Sequence, residues 1–153
     1  SCHMPEATDV NRRLEGEPES IHFKYMIHKI HRGADLENLP YIVYGFGNTP
    51  HDYSDVHFPG DLRACEACHV DVDPDEDDVW MSSWLPLPEG VLPTHSPAAA
   101  IPDMGPVTAS CLSCHDDNAA TSHALANTSD LGESCNTCHA QGKTYSVSRV
   151  HAR

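Results

Sequence analysis

The sequence predicts a mainly α fold with extensive irregular loops and little or no β structure, organised around something other than its own side chains. Three observations carry this expectation. Apolar residues make up only 39% of the chain, with 3 Phe against 12 Pro and 9 Gly, whereas a core built from side chains alone usually draws on closer to half. One run, Ile21 to Arg32, has helical periodicity, while no stretch alternates convincingly as a strand. The chain also holds 7 Cys and 12 His, residues that a disordered segment of low hydrophobicity lacks. A large apolar cofactor filling the interior accounts for all three. At 153 residues the chain suits one domain and is short for two, so residues 1–153 read as a single unit.

The cysteines identify the cofactor. Cys65-Glu66-Ala67-Cys68-His69, Cys111-Leu112-Ser113-Cys114-His115 and Cys135-Asn136-Thr137-Cys138-His139 each match Cys-x-x-Cys-His, the attachment pattern of haem c (heme). Two thiols form thioethers to the vinyl groups, and the adjacent imidazole becomes the proximal iron ligand. One turn of chain lets both thiols reach, and the next residue then points at the metal. Chance gives about 0.02 such motifs in this composition. Structural zinc needs four ligands from paired knuckles, a disulfide framework has no use for the histidines, and thioredoxin-like chemistry needs a βαβ setting that is absent. The seventh cysteine, Cys2, precedes His3 and reads as the tail of a fourth motif begun upstream; a chance Cys-His neighbour is the alternative. Four haems are expected, three from complete motifs.

Along the chain, Cys2 to Gly33 forms the first haem edge and a ligand helix. Ser20 is expected as its N-cap and Gly33 as its C′ residue. Phe23, Met26, Ile27 and Ile30 make one apolar stripe, with His28 and His31 on its flank. Ala34 to Arg63 is an irregular bridge with turn signals at Gly47-Asn48-Thr49-Pro50 and Pro59-Gly60-Asp61. Val70 to Ala109 holds an acidic run from Asp71 to Asp78, read as a solvated loop or a cation-binding segment, and a Pro-rich stretch from Pro86 to Pro106. Trp80 and Trp84 are expected to pack on porphyrin. His123 lies in the Ala-rich stretch Asn118 to Ala126, and His151 stands near the end of the sequence.

Histidine supply sets the ligation. Taking His3, His69, His115 and His139 as proximal leaves eight His, and none of the 4 Met has a distinctive context. Bis-histidine ligation, which lowers the potential relative to His/Met, follows, with His28, His31, His123 and His151 as distal candidates. His22 and His57 are reserves, and His51 and His95 read as solvated loop residues.

The string Phe23-Lys24-Tyr25-Met26-Ile27-His28-Lys29-Ile30-His31-Arg32-Gly33, with Tyr41-Ile42-Val43-Tyr44-Gly45, Phe58-Pro59-Gly60-Asp61-Leu62-Arg63 and Ser146-Val147-Ser148-Arg149-Val150-His151, resembles the OmcA/MtrC family of surface-exposed, outer-membrane decahaem-type cytochromes. The resemblance covers nearly the whole chain and is closest to the C-terminal haem module. It implies that His28, His31, His123 and His151 are distal ligands, that Cys2-His3 ends a full attachment motif, and that the module sits at the cell exterior. The sequence starts inside that motif and lacks the other domains of such proteins, so it reads as a piece of something longer.

Charge and chemistry narrow the function. A formal net charge of −14 argues against nucleic acid, which needs a basic footprint, and against an anionic membrane surface. No stretch is long and apolar enough to span a bilayer. Electron transfer through a row of bis-histidine haems is the expected function, with other redox proteins, soluble metals or mineral surfaces as partners. Thioether attachment occurs outside the cytoplasm, so the location is extracellular, on the outer membrane, or periplasmic. A multihaem reductase of nitrite, hydroxylamine or sulfur compounds is the alternative; it needs an open iron position, and here the histidines meet demand. No catalytic residue is assigned. A homo-oligomer or filament that extends the haem row is also compatible with the sequence.

Overall fold

The computed structural model describes residues 2–68, 104–140 and 142–151. His69, Trp80, Trp84, His95 and the acidic run lie outside the described residues. Helix α1 spans Phe23–Arg32, followed by a short 3-10 turn at Gly33–Asp35. Strands β1 (Ile42–Tyr44) and β2 (Pro50–Asp52) pair antiparallel, with Val43 opposite His51. Then come α2 (Pro106–Leu112), α3 (Asn118–Ala126), the hairpin β3 (Thr128–Ser129) and β4 (Gly132–Glu133), and the single turns α4 (Asn136–His139) and α5 (Val147–Val150).

The expected mainly α fold with little or no β is therefore wrong. Among the described residues helical segments amount to 37% and strands to 12%, in two small antiparallel sheets. Strands of two or three residues cannot display the two-residue alternation that reveals a strand in sequence. What the sequence does display is their turns: Gly47 (φ 69°) and Asn48 (φ 60°) close the first hairpin, and Gly132 (φ 111°) follows the tip of the second.

Helix α1 also differs from expectation at its start. Ser20 is fully buried and does not cap it; its hydroxyl accepts from the His22 amide at 3.3 Å, and its backbone bridges Thr8. The helix begins at Phe23, with His22 in the N-cap position. Its end is as expected. The Gly33 amide donates to the Lys29 carbonyl, at a φ of 43°, and a Cβ there would lie 2.3 Å from the Val56 carbonyl oxygen. Only glycine satisfies both constraints.

Two apolar clusters flank α1. Leu36, Tyr41 and Val43 form one, packed by Ile21, Ile30 and Tyr53; Met104, Ala109 and Leu112 form the other, packed by Tyr25, Ala120 and Ala124. The buried residue of the helix is Lys29 rather than any member of the apolar stripe, whose Phe23 is 56% exposed. Lys29 is buried because its ammonium lies 4.7 Å from the centre of the Tyr41 ring and 5.3 Å from that of Tyr25, and 3.5 Å from Glu19. Burial pulls the Lys29 amine down, but Tyr25 and Glu19 together pull it up further; burial raises Glu19 against the pull of Lys29. The two shifts have opposite effects on the pair's ionisation. We take Lys29 as charged, since two acceptors and two rings surround it.

A buried carboxylate ties the amino-terminal segment to the first hairpin. Asp9, 1% exposed, accepts from Arg13 Nε (3.0 Å) and Nη2 (2.8 Å), from the Glu19 amide (2.9 Å) and from the Tyr44 amide (3.0 Å). Arg13 in turn donates to the Ile42 carbonyl and lies 5.0 Å from the centre of the Tyr44 ring. The outer edge of β1 is thereby satisfied by side chains.

Candidate functional site

The Cys-x-x-Cys parts of the three complete motifs share one turn conformation. The amide of the second Cys donates to the carbonyl of the first at 3.1 Å (Cys68 to Cys65), 3.1 Å (Cys114 to Cys111) and 3.2 Å (Cys138 to Cys135). In the last two, the His115 and His139 amides reach back to the same carbonyl at 2.9 Å. Two intervening residues make a single helical turn, so the spacing seen in the sequence sets the two cysteines one turn apart. No two of the cysteines pair as a disulfide. Burial, then the nearby Cys135 and Glu133, pushes the Cys111 thiol up to about 12; Cys114 and Cys135 are also raised, chiefly by burial.

Histidines far apart in sequence come together in two pairs. The ring centres of His115 and His151 are 6.0 Å apart with planes at 37°, and those of His123 and His139 are 6.1 Å apart and nearly perpendicular at 87°. Each pair joins a motif histidine to an expected distal histidine. His123 is carried by α3, which Asp117 caps by accepting from the Ala119 (2.8 Å) and Ala120 (2.9 Å) amides; those bonds hold the Asp117 carboxyl below its ordinary value. His151 closes α5. Burial first, then the charges of His151 and Arg32, lowers His115.

Four expected ligands have their tautomer fixed. Nδ1 of His3 bonds the Ile21 carbonyl (2.8 Å), that of His28 the Lys24 carbonyl (2.6 Å), that of His139 the Tyr145 carbonyl (2.9 Å) and that of His151 the Val147 carbonyl (3.0 Å). A carbonyl only accepts, so Nδ1 carries the proton and Nε2 keeps its lone pair for a metal. His31 lies with its ring 5.1 Å from that of Phe58. His57 and His51 are exposed, and the His51 ring lies over Gly45, where a Cβ would come within 2.7 Å of Nε2.

These residues fit haem. Two axial imidazoles on one metal, each with a metal–nitrogen bond of about 2.0 Å, put their ring centres about 6 Å apart, which both pairs match. Large apolar side chains stand open beside the expected ligands: Met4 (47% exposed), Phe23 (56%), Tyr145 (59%) and Val150 (52%). That is area a porphyrin can cover. Among the described residues no three His, Cys, Asp or Glu converge to hold an ion directly, as structural zinc would require.

Sequence reading missed the carboxylates that assemble the site. Asp116 accepts from the Glu37 (2.9 Å) and Asn38 (2.8 Å) amides and joins the loop after α1 to the His115 turn. Glu133 accepts from the Val107 (3.1 Å) and Thr108 (2.6 Å) amides at the start of α2. Asp117 before an Ala-rich run was a legible cap signal; Asp116 and Glu133 act across long sequence separations and leave no local pattern.

No helix among the described residues is long and apolar enough to cross a membrane. No curated protein matches the chain. Among solved structures it is similar to the crystal structure of the outer membrane decaheme cytochrome OmcA, with a TM-score of 0.50 and 23% identity over 98% of this chain. That likeness is one of fold, and the chain spans 22% of the length of that protein. The family model for outer membrane cytochrome MtrC/MtrF-like domains II/IV matches residues 1–152. With attachment turns, paired imidazoles and a whole-length family match together, the chain belongs to the MtrC/MtrF-like outer membrane cytochromes, cell-surface electron carriers that use haem c.

Proposed function

We propose that residues 1–153 form one module that carries electrons through four covalently attached bis-histidine haems and delivers them outside the cell to metals, minerals or redox partners. Haem bound at the attachment turns would supply reversible one-electron exchange. The chain's own residues attach, orient and ligate. Cys2, Cys65, Cys68, Cys111, Cys114, Cys135 and Cys138 supply the thioethers. His3, His69, His115 and His139 are proximal, and His28, His31, His123 and His151 distal. The observation that carries this reading is the pairing of His115 with His151 and of His123 with His139 at about 6 Å.

Intact mass of the holoprotein, together with its ferric spectrum, tests the proposal. Four haems and an all-low-spin spectrum are expected. His151→Ala should turn one iron high-spin and His123→Ala another, each leaving the haem count unchanged. A mass with three haems would remove the Cys2 site. A parent protein with a high-spin, cyanide-binding population would replace electron carriage with reductase chemistry.

A further inference from the structure

Glu133 stands between the two attachment turns best defined in the structure and is not itself expected to bind haem. It ends the second hairpin, two residues before Cys135. Its carboxylate caps α2, the helix carrying Cys111, through the Val107 and Thr108 amides. The fit depends on Gly105, where a Cβ would fall 2.2 Å from the Glu133 carboxyl carbon. Its charge acts on Cys111, Cys135 and, from the ligand helix, Lys24.

We infer that Glu133 is a positioning residue that holds the Cys111–His115 and Cys135–His139 turns in register and biases the reduction equilibria of the haems bound there. The inference rests on haem attachment at those turns, as proposed above. A carboxylate in a site of reduced polarity stabilises the more positive, ferric state of its neighbours. The Lys24 ammonium offsets part of that effect.

The test is a spectroelectrochemical titration of the haem-loaded full chain, with intact mass and low-temperature EPR on every sample. Glu133→Gln removes the charge and keeps one amide-accepting oxygen. It should shift two of the haems three- to tenfold toward the reduced form, tenfold being 59 mV for one electron, and leave the others in place. Gly105→Ala keeps the charge but displaces it from the α2 amides, and should alter the magnetic coupling between two irons with a smaller potential shift. If Glu133→Gln does not accumulate, the Gly105→Ala coupling decides. Titrations that superimpose on the parent, or an equal shift of every haem, overturn the inference while the haem count still supports attachment. A parent mass lacking haem at these two turns would overturn attachment, and this inference with it.

Discussion

The two ends of the described structure are built on different principles. Between Cys2 and Val56 the chain closes on its own side chains: Leu36, Tyr41 and Val43 are buried, and the Asp9 carboxylate binds Arg13 and two amides with no exposed surface. From Met104 onward the core is Met104, Ala109 and Leu112, and it borrows Tyr25 from α1. Beyond Ser113 the only buried described residue is Ser146. There, Asp117 caps α3, and the single-turn helices α4 and α5 carry no side-chain cap and meet their neighbours through the two histidine pairs. A few kcal/mol of local capping does not offset the cost of ordering some forty residues at about 1–2 kcal/mol each. With haem attached as proposed, the second region should depend on it for its fold, and the first should depend on it less.

The strongest way to break this contrast is to remove attachment in the second region. Cys111→Ala together with Cys114→Ala should abolish amide protection across 106–151 in hydrogen exchange while the Tyr41–Tyr53 hairpin stays protected. Equal loss in both regions would mean that one cooperative unit spans them. Next in size is Asp9→Ala. It removes the carboxylate from the largely buried Arg13 pair and leaves the Glu19 and Tyr44 amides without their acceptor, and should cost about 3–5 kcal/mol in denaturant unfolding. The ferric spectrum of the His115 and His139 haems should not change.

Gly33→Ala tests the joint between the regions, since Gly33 ends the helix that both share. A strained φ of 43° together with the Val56 contact should cost about 2 kcal/mol. A neutral result would require the loop at Val56 to yield.

The smallest effect should have the opposite sign. The Tyr41 hydroxyl is buried without a hydrogen-bond partner among the described residues, so Tyr41→Phe should stabilise the protein by about 1 kcal/mol. Burial, with the Glu19 charge next, raises the Tyr41 phenol well above its ordinary 10.0. The folded protein thus holds a proton that the unfolded chain loses above pH 10, and stability falls as pH rises past that point. In Tyr41→Phe the alkaline decline should be shallower. An unchanged slope would assign the decline to Lys29 and Tyr25, whose groups are also raised.

Some of this was determined by the sequence alone. The Cys-x-x-Cys-His spacing fixes a one-turn conformation through bonds between residues three and four apart, so chemistry and local geometry are encoded together. The same holds for the end of α1 at Gly33. Other features needed the tertiary structure. That His151 meets His115 and His123 meets His139 depends on where α3 and α5 fold back, and no spacing states it. Strands of two and three residues carry no periodicity; β1 is held on its outer edge by Arg13 and Asp9, and positive-φ residues turn the chain between the paired strands. Lys29 reads as a surface residue until Tyr25, Tyr41 and Glu19 surround it, and Glu133 reads as solvent-facing until α2 presents two free amides to it. Such groups acquire their roles from partners distant along the chain, and a local pattern cannot record contacts that only folding brings within reach.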